Sequence, residues 1–152
     1  MEVTLELVQA KQAELAQMIE RLSTPNVAAK LHLVFPEVDI ELSEGERYAG
    51  PVLDDDGMVK HHLVLLAARP DVDLNWKAAQ AWAEEAGGTL PDRQEQALLF
   101  ANCKAALPQR WCWSSEAEGS SYAWCCLFSY GTQRYRGTSY EGCAVAVRRL
   151  NP

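Results

Sequence analysis

YAWCCLFSYGTQRYRG, residues 122–137, carries four tyrosine or tryptophan side chains, two adjacent cysteines and two arginines, with no lysine, aspartate or glutamate. Such a run can be a buried strand, a catalytic site or a binding surface, and its surroundings decide. Upstream stands WCWSSE (residues 111–116) and downstream YEGCAVAVRRL (residues 140–150). WCWSSE, YAWCCLF (residues 122–128) and YEGCAVAVRRL read as short β-runs, divided by Gly119-Ser120, Gly131 and Gly137. In the last of them, residues 144–150, alternate apolar residues predict a strand placed centrally in a sheet and ended by Arg148 and Arg149.

Working back toward the N-terminus, the pattern changes to helix. TLPDRQEQALLFAN contains Asp92 and Glu95 at capping-box spacing, followed by Ala97, Leu98 and Ala101. DLNWKAAQAWAEEAGG begins at a cap, Asp73 or Asn75, and places Trp76, Ala79, Trp82, Ala83 and Ala86 on one face. Gly87-Gly88 ends it. The glutamates of these helices read as solvated or capping groups. Before them, RYAGPVL (47–53) and residues 59–67 read as a hairpin around Asp54-Asp55-Asp56-Gly57. A D-G turn accounts for those aspartates without calcium. His61 and His62 fall on opposite faces of the return strand.

Residues 25–46 read as a connector with short strands at 31–35 (LHLVF) and 38–42 (VDIEL), separated by Pro36. The first 24 residues read as a helix. Met1, Leu5, Val8, Gln12, Leu15, Ile19 and Leu22 are spaced 4, 3, 4, 3, 4 and 3 apart, a heptad seam with one polar position. Ser23-Thr24-Pro25-Asn26 stops it. The seam predicts a stalk that joins two or three copies, with an amphipathic helix lying on its own domain as the alternative. The expected division is thus 1–24, 25–46 and 47–152.

At 152 residues the chain suits one main core. Its formal net charge of -7 disfavours a nucleic-acid partner, which wants a basic face. No run suits a membrane span, and the acidic start lacks a signal peptide's basic segment, so synthesis in the cytoplasm and no membrane insertion are expected. Five cysteines, Cys103, Cys112, Cys125, Cys126 and Cys143, make an odd count with a vicinal pair and no C-x-x-C. That predicts reduced, hydrophobe-like thiols, with no metal and no cofactor.

Taken together, several motifs carry a family resemblance. They are W-x-x-A-x-x-W-A (Trp76, Ala79, Trp82), GG-x-LP-x-R-x-E (Gly87, Gly88, Leu90, Pro91, Arg93, Glu95), W-x-WSSE (Trp111, Trp113, Ser114, Ser115, Glu116), AW-x-x-x-F-x-x-G (Ala123, Trp124, Phe128, Gly131) and the closing Ala146-Val147-Arg148-Arg149. In this order they resemble phage and bacterial domains with a C-type-lectin-like fold, related to the Legionella collagen-like adhesin C-terminal domain. The resemblance spans residues 47–150. It implies an α+β, C-type-lectin-like fold with two helices and a small antiparallel sheet, here preceded by the N-terminal amphipathic, coiled-coil-type helix.

The fold is also similar to variable proteins of diversity-generating retroelements, including a phage tail receptor-binding protein. That similarity implies varied positions at Cys112, Ser121, Tyr122, Cys125, Cys126, Ser129, Tyr130, Arg134, Tyr135, Arg136, Ser139, Tyr140 and Cys143. They alternate with a fixed frame of Trp113, Trp124, Phe128 and Gly131.

Independently of any family, Tyr, Ser, Arg and Gly make adaptable contact surfaces, because tyrosine offers large area at low entropy cost. Tyr122, Ser129, Tyr130, Arg134, Tyr135, Arg136 and Tyr140 are therefore the expected ligand-binding residues. Trp111, Trp113, Trp124 and Phe128 are expected to be half-buried strand residues, and Glu116 with Arg93 to form an internal ion pair.

The fold resembles that of formylglycine-generating enzymes as well. Those use paired cysteines, whereas Cys125 and Cys126, adjacent on a strand, point to opposite faces. No histidine lies in the C-terminal half, and Ser114-Ser115-Glu116 has no G-x-S-x-G context. The expected function is a non-catalytic recognition module, a phage or prophage receptor-binding or variable protein facing a host protein or glycan. A structural virion protein and an intracellular factor against a host defence protein are the alternatives.

Overall fold

A computed structural model describes residues 3–24, 30 and 32–152. Its compact units are residues 1–35 and residues 36–152. In the first unit, helix α1 (Leu5–Ser23) starts where Thr4 accepts a hydrogen bond from the Leu7 N–H, and none of its residues is buried. The helix expected from the seam is present. Met1, Pro25, Asn26 and Leu31, part of the expected seam, stop signal and first connector strand, lie outside the described residues.

The two connector strands do not form. Residues 32–42 have no strand pairing, and Leu33, Val34 and Phe35 stay exposed. Alternation proposes a strand, but only pairing with a neighbouring edge makes one, and among the described residues, 32–42 pair with none.

The second unit is α+β, with two three-stranded antiparallel sheets. Strand β1 (Arg47–Leu53) pairs with β2 (Val59–Leu65) through the expected aspartate turn. Asp54 Oδ1 accepts from the N–H groups of Asp56 and Met58, which closes that turn. Helices α2 (Trp76–Glu85) and α3 (Arg93–Cys103) follow, then a short 3-10 turn, Lys104–Ala106. The second sheet runs β3 (Trp111–Glu118), β4 (Tyr122–Leu127), β5 (Thr132–Gly137). Strand β6 (Val147–Leu150) returns to pair with β2.

Five features of this unit differ from the sequence reading. There are two sheets rather than one. β6 lies at an edge, β2 being central, and it is shorter than expected. Residues 143–147 are buried without alternation, because that stretch threads between the sheets. Thr132–Gly137, which no apolar alternation marked, is a full strand. On α3 the buried face is Glu95, Gln96, Leu99 and Cys103, while Ala97 and Ala101 are exposed.

Both helix starts behave as read. Asn75, rather than Asp73, caps α2, and Asp92 with Glu95 forms a complete capping box on α3. Glu95 is not solvated, however. It is fully buried, and both its oxygens accept from the Arg149 guanidinium, at 2.7 and 3.0 Å. This pair joins α3 to β6. Gly88 marks another close approach, since a Cβ there would collide with the Val147 carbonyl oxygen and Leu66.

The core has two parts, and β4 separates them. Cys126, Phe128, Leu99, Leu63 and Val145 share one cluster. Cys125, Trp113, Ala79, Ala83 and Ala144 share the other. The adjacent cysteines thus face opposite ways, and each fills a core position.

Candidate functional site

The β4–β5 hairpin is the centre of the expected binding surface. Its turn is fixed by the N–H groups of Tyr130 and Gly131, which both donate to the Leu127 carbonyl. Gly131 has φ +77° and stands against the Phe100 ring, so a Cβ there would meet that ring at 2.8 Å. The strand register sets Trp124 opposite Tyr135, Cys125 opposite Arg134 and Ala123 opposite Arg136. Side chains alternate between faces. The seven expected residues therefore do not form one surface.

One face carries Tyr122, Trp124 and Tyr135. Tyr135 meets Trp124 edge-on at 5.4 Å between ring centroids and Tyr122 at 5.7 Å. Tyr122 is 49 % and Tyr135 54 % exposed. Trp124 is half-buried because the Arg93 guanidinium lies 3.5 Å above its ring, and its Nε1–H donates to Glu118. Arg93 is held in turn by the Gln133 side chain, 3.0 Å from its Nε. Glu116 does not pair with the Arg93 side chain as expected. Its carboxylate accepts from the Arg93 backbone N–H at 2.6 Å, at the start of α3, where helix geometry leaves that donor free. The guanidinium is thus released to stack on Trp124.

The other face carries Arg134, Arg136 and, from the following loop, Tyr140. Arg136 stands 4.7 Å from the Trp111 ring centroid and 4.6 Å from that of Tyr140. Tyr140 also packs edge-on against Trp113 at 6.0 Å. Arg136 and Tyr140 therefore lie over the second core cluster; Arg136 is half-buried, whereas Arg134 and, at 37 %, Tyr140 are exposed. Ser129 is half-buried in the turn and Tyr130, 79 % exposed, crowns it.

The four positions expected to be half-buried divide too, two as expected and two buried more deeply. Trp113 and Phe128 are fully buried, whereas Trp111 and Trp124 are half-buried under arginines. Among the positions implied to be varied, Cys112, Cys125, Cys126 and Cys143 are buried. They serve the core and cannot contribute to a contact surface. Burial pushes the Cys125 thiol up to about 12 and the Cys126 thiol up to about 11.

Sequence reading missed the Arg93–Trp124 stack, the Glu118 contact and the Arg136 sandwich. Their partners sit 31, 6 and 25 residues or fewer apart along the chain, at no recurring spacing. The β3–β4 pairing brings Glu118 to Trp124, the start of α3 brings Arg93 there, and the register of β5, itself unmarked in the sequence, places Arg136. His61 and His62 do face different partners: His62 Nδ1 shares a hydrogen bond with the Tyr48 hydroxyl, and His61 Nε2 lies 3.5 Å from Glu95. Among the described residues no group of three or more His, Cys, Asp or Glu is placed to hold a metal ion. No helix described is long and apolar enough to cross a membrane.

No protein-family model matches this chain, and no curated protein matches it.

Proposed function

We propose that the chain is a non-catalytic recognition module, with a C-type-lectin-like head and a helical stalk. Its contact surface is the Tyr122–Trp124–Tyr135 face, extended by Tyr130 at the hairpin tip. The observation that carries this is the exposure of Tyr122 and Tyr135 on a hydrogen-bonded sheet, next to a Trp124 ring already fixed by Arg93. Aromatic side chains held by a sheet lose little freedom on binding, which favours affinity. Ligand contact would cover the open sides of the two tyrosine rings, with Glu118 and the tyrosine hydroxyls as polar partners.

The stalk would act through Leu5, Val8, Gln12, Leu15, Ile19 and Leu22. Those positions keep their heptad spacing on α1, and the apolar ones are exposed. Two or three copies would present several weak contact faces together and gain avidity. A phage or prophage receptor-binding role toward a host surface protein or glycan fits this arrangement and the motif resemblance. The exposed seam of α1 favours one further reading, a structural virion protein docked through that helix.

The test is an array of bacterial surface glycans and envelope proteins, probed with the full chain and with a Tyr122→Ala/Tyr135→Ala double variant. Recognition predicts a restricted set of signals that the double variant loses. A structural role predicts no ligand on the array, together with loss of particle incorporation when α1 is removed.

A further inference from the structure

Two cysteines from distant parts of the chain meet where the sheets join. The Cys143 N–H donates to the Trp111 carbonyl, and the Cys143 carbonyl accepts from the Trp113 N–H. This parallel bridge sets residue 143 beside residue 112, and the two Sγ atoms lie 2.6 Å apart. Neighbouring strand positions lie within the Cα separation that a disulfide spans.

The two thiols differ in access. Cys112 is wholly enclosed, with Cys126 and Phe128 in the same cluster. Cys143 opens on a cleft of about 410 Å³, lined also by Arg69, Asp73, Leu107, Arg110 and Ala144. The Cys112 thiol beside it, aided by the Arg110 guanidinium, holds Cys143 below the usual thiol range against the opposing effect of burial. Cys112 is held well above that range by Cys143 and by burial. The remaining three thiols are also buried, and none of them has a sulfur partner within hydrogen-bond distance among the described residues.

We propose that Cys112 and Cys143 form a thiol–disulfide exchange site, in which Cys143 is the attacking thiol and Cys112 the resolving one. The oxidant is a small-molecule disulfide admitted to the cleft. Cys143 Sγ, as thiolate, attacks one sulfur of that disulfide, and the other sulfur leaves as a thiolate that takes up a proton. Cys112 then loses its proton and attacks Cys143 Sγ, expelling the second thiol. Two protein thiols are oxidised to one disulfide, and one external disulfide is reduced to two thiols. The new bond ties β3 to the stretch before β6, and so clamps the two sheets across 31 residues of chain. Passage from a reducing to an oxidising medium would thereby stiffen the domain.

The experiment treats the folded full chain with hydroxyethyl disulfide near pH 8, then maps peptides by mass spectrometry after alkylation. The expected product lacks two hydrogens, joins the peptides of Cys112 and Cys143, and melts roughly 10 °C higher than the reduced chain. Cys112→Ser should stop at a stable adduct on Cys143, and Cys143→Ser should form neither adduct nor bridge. If either variant fails to fold, the wild-type peptide map decides alone. Five alkylatable cysteines after treatment, or a bridge or adduct centred on Cys103, Cys125 or Cys126, would overturn the proposal.

Discussion

The two faces of the β4–β5 hairpin use the same residue types for opposite ends. On one face, Arg93 stacks on Trp124 and leaves Tyr122 and Tyr135 open to solvent. On the other, Arg136 sits between Trp111 and Tyr140, and the group closes over Trp113 and the α2 side of the core. What separates the faces is the layer behind them. α2 supplies an apolar partner to the second face, while on the first face α3 covers Cys126 and its N-terminal turn sets Arg93 on Trp124, leaving Tyr122 and Tyr135 open. Composition alone therefore cannot tell a contact surface from a lid on the core; the register decides.

The comparison breaks most severely if its shared support is removed. Trp113→Ala takes a fully buried ring, and the hydrogen bond from its Nε1–H to the Leu74 carbonyl, out of the second cluster. Urea denaturation should show a loss of about 3–5 kcal/mol, and both faces should fail together. Arg149→Met leaves the Glu95 carboxylate buried without its cation. Because Arg149 itself is partly exposed, the same measurement should show a smaller loss, about 2–3 kcal/mol.

The next changes sharpen the contrast between the faces. Arg136→Ala should cost about 1 kcal/mol of stability by uncovering Trp111, and leave ligand binding near the wild-type level. Tyr122→Ala with Tyr135→Ala should do the reverse. Thermal melts should show a loss of only about 0.5–1 kcal/mol, from the edge-on ring contacts, while binding falls at least tenfold.

The smallest effect lies away from both faces. Glu46 is held below the ordinary carboxylate range, first by its hydrogen bond from Arg148 and further by the Ser43 N–H, against some opposing burial. A depressed folded pKa means this stabilisation is complete above the unfolded value, about 4.3. It is lost as the pH falls through the lower folded value. Melting temperatures taken from pH 6 down to pH 3 should fall slightly more steeply for the wild type than for Glu46→Gln.

The elements that could be read from sequence are those with local causes. Asn75, Asp92-Glu95 and the aspartate turn each act within four residues, and each stands where its spacing indicated. The heptad helix formed for the same reason. The connector strands and the central position of β6 failed because pairing is settled by distant partners. β5 was missed because TQRYRG faces solvent or arginine stacks on both sides and shows no apolar alternation. Within the site, Tyr122, Tyr130 and Tyr135 were legible as exposed tyrosines. Their separation from Arg136 and Tyr140 was not, since it depends on that unmarked strand. The cysteines were correctly read as small buried groups, but nothing in their spacing brought Cys112 to Cys143.

Hydroxyl-radical footprinting of the full chain, read residue by residue by mass spectrometry, tests most directly whether the two faces differ as described. Tyr122, Tyr130 and Tyr135 should react quickly, Tyr140 more slowly, and Trp113 and Phe128 scarcely at all. Protection of Tyr122 and Tyr135 at a level near that of Trp113 would mean that this face is already covered in the free protein. The proposed recognition surface would then be lost.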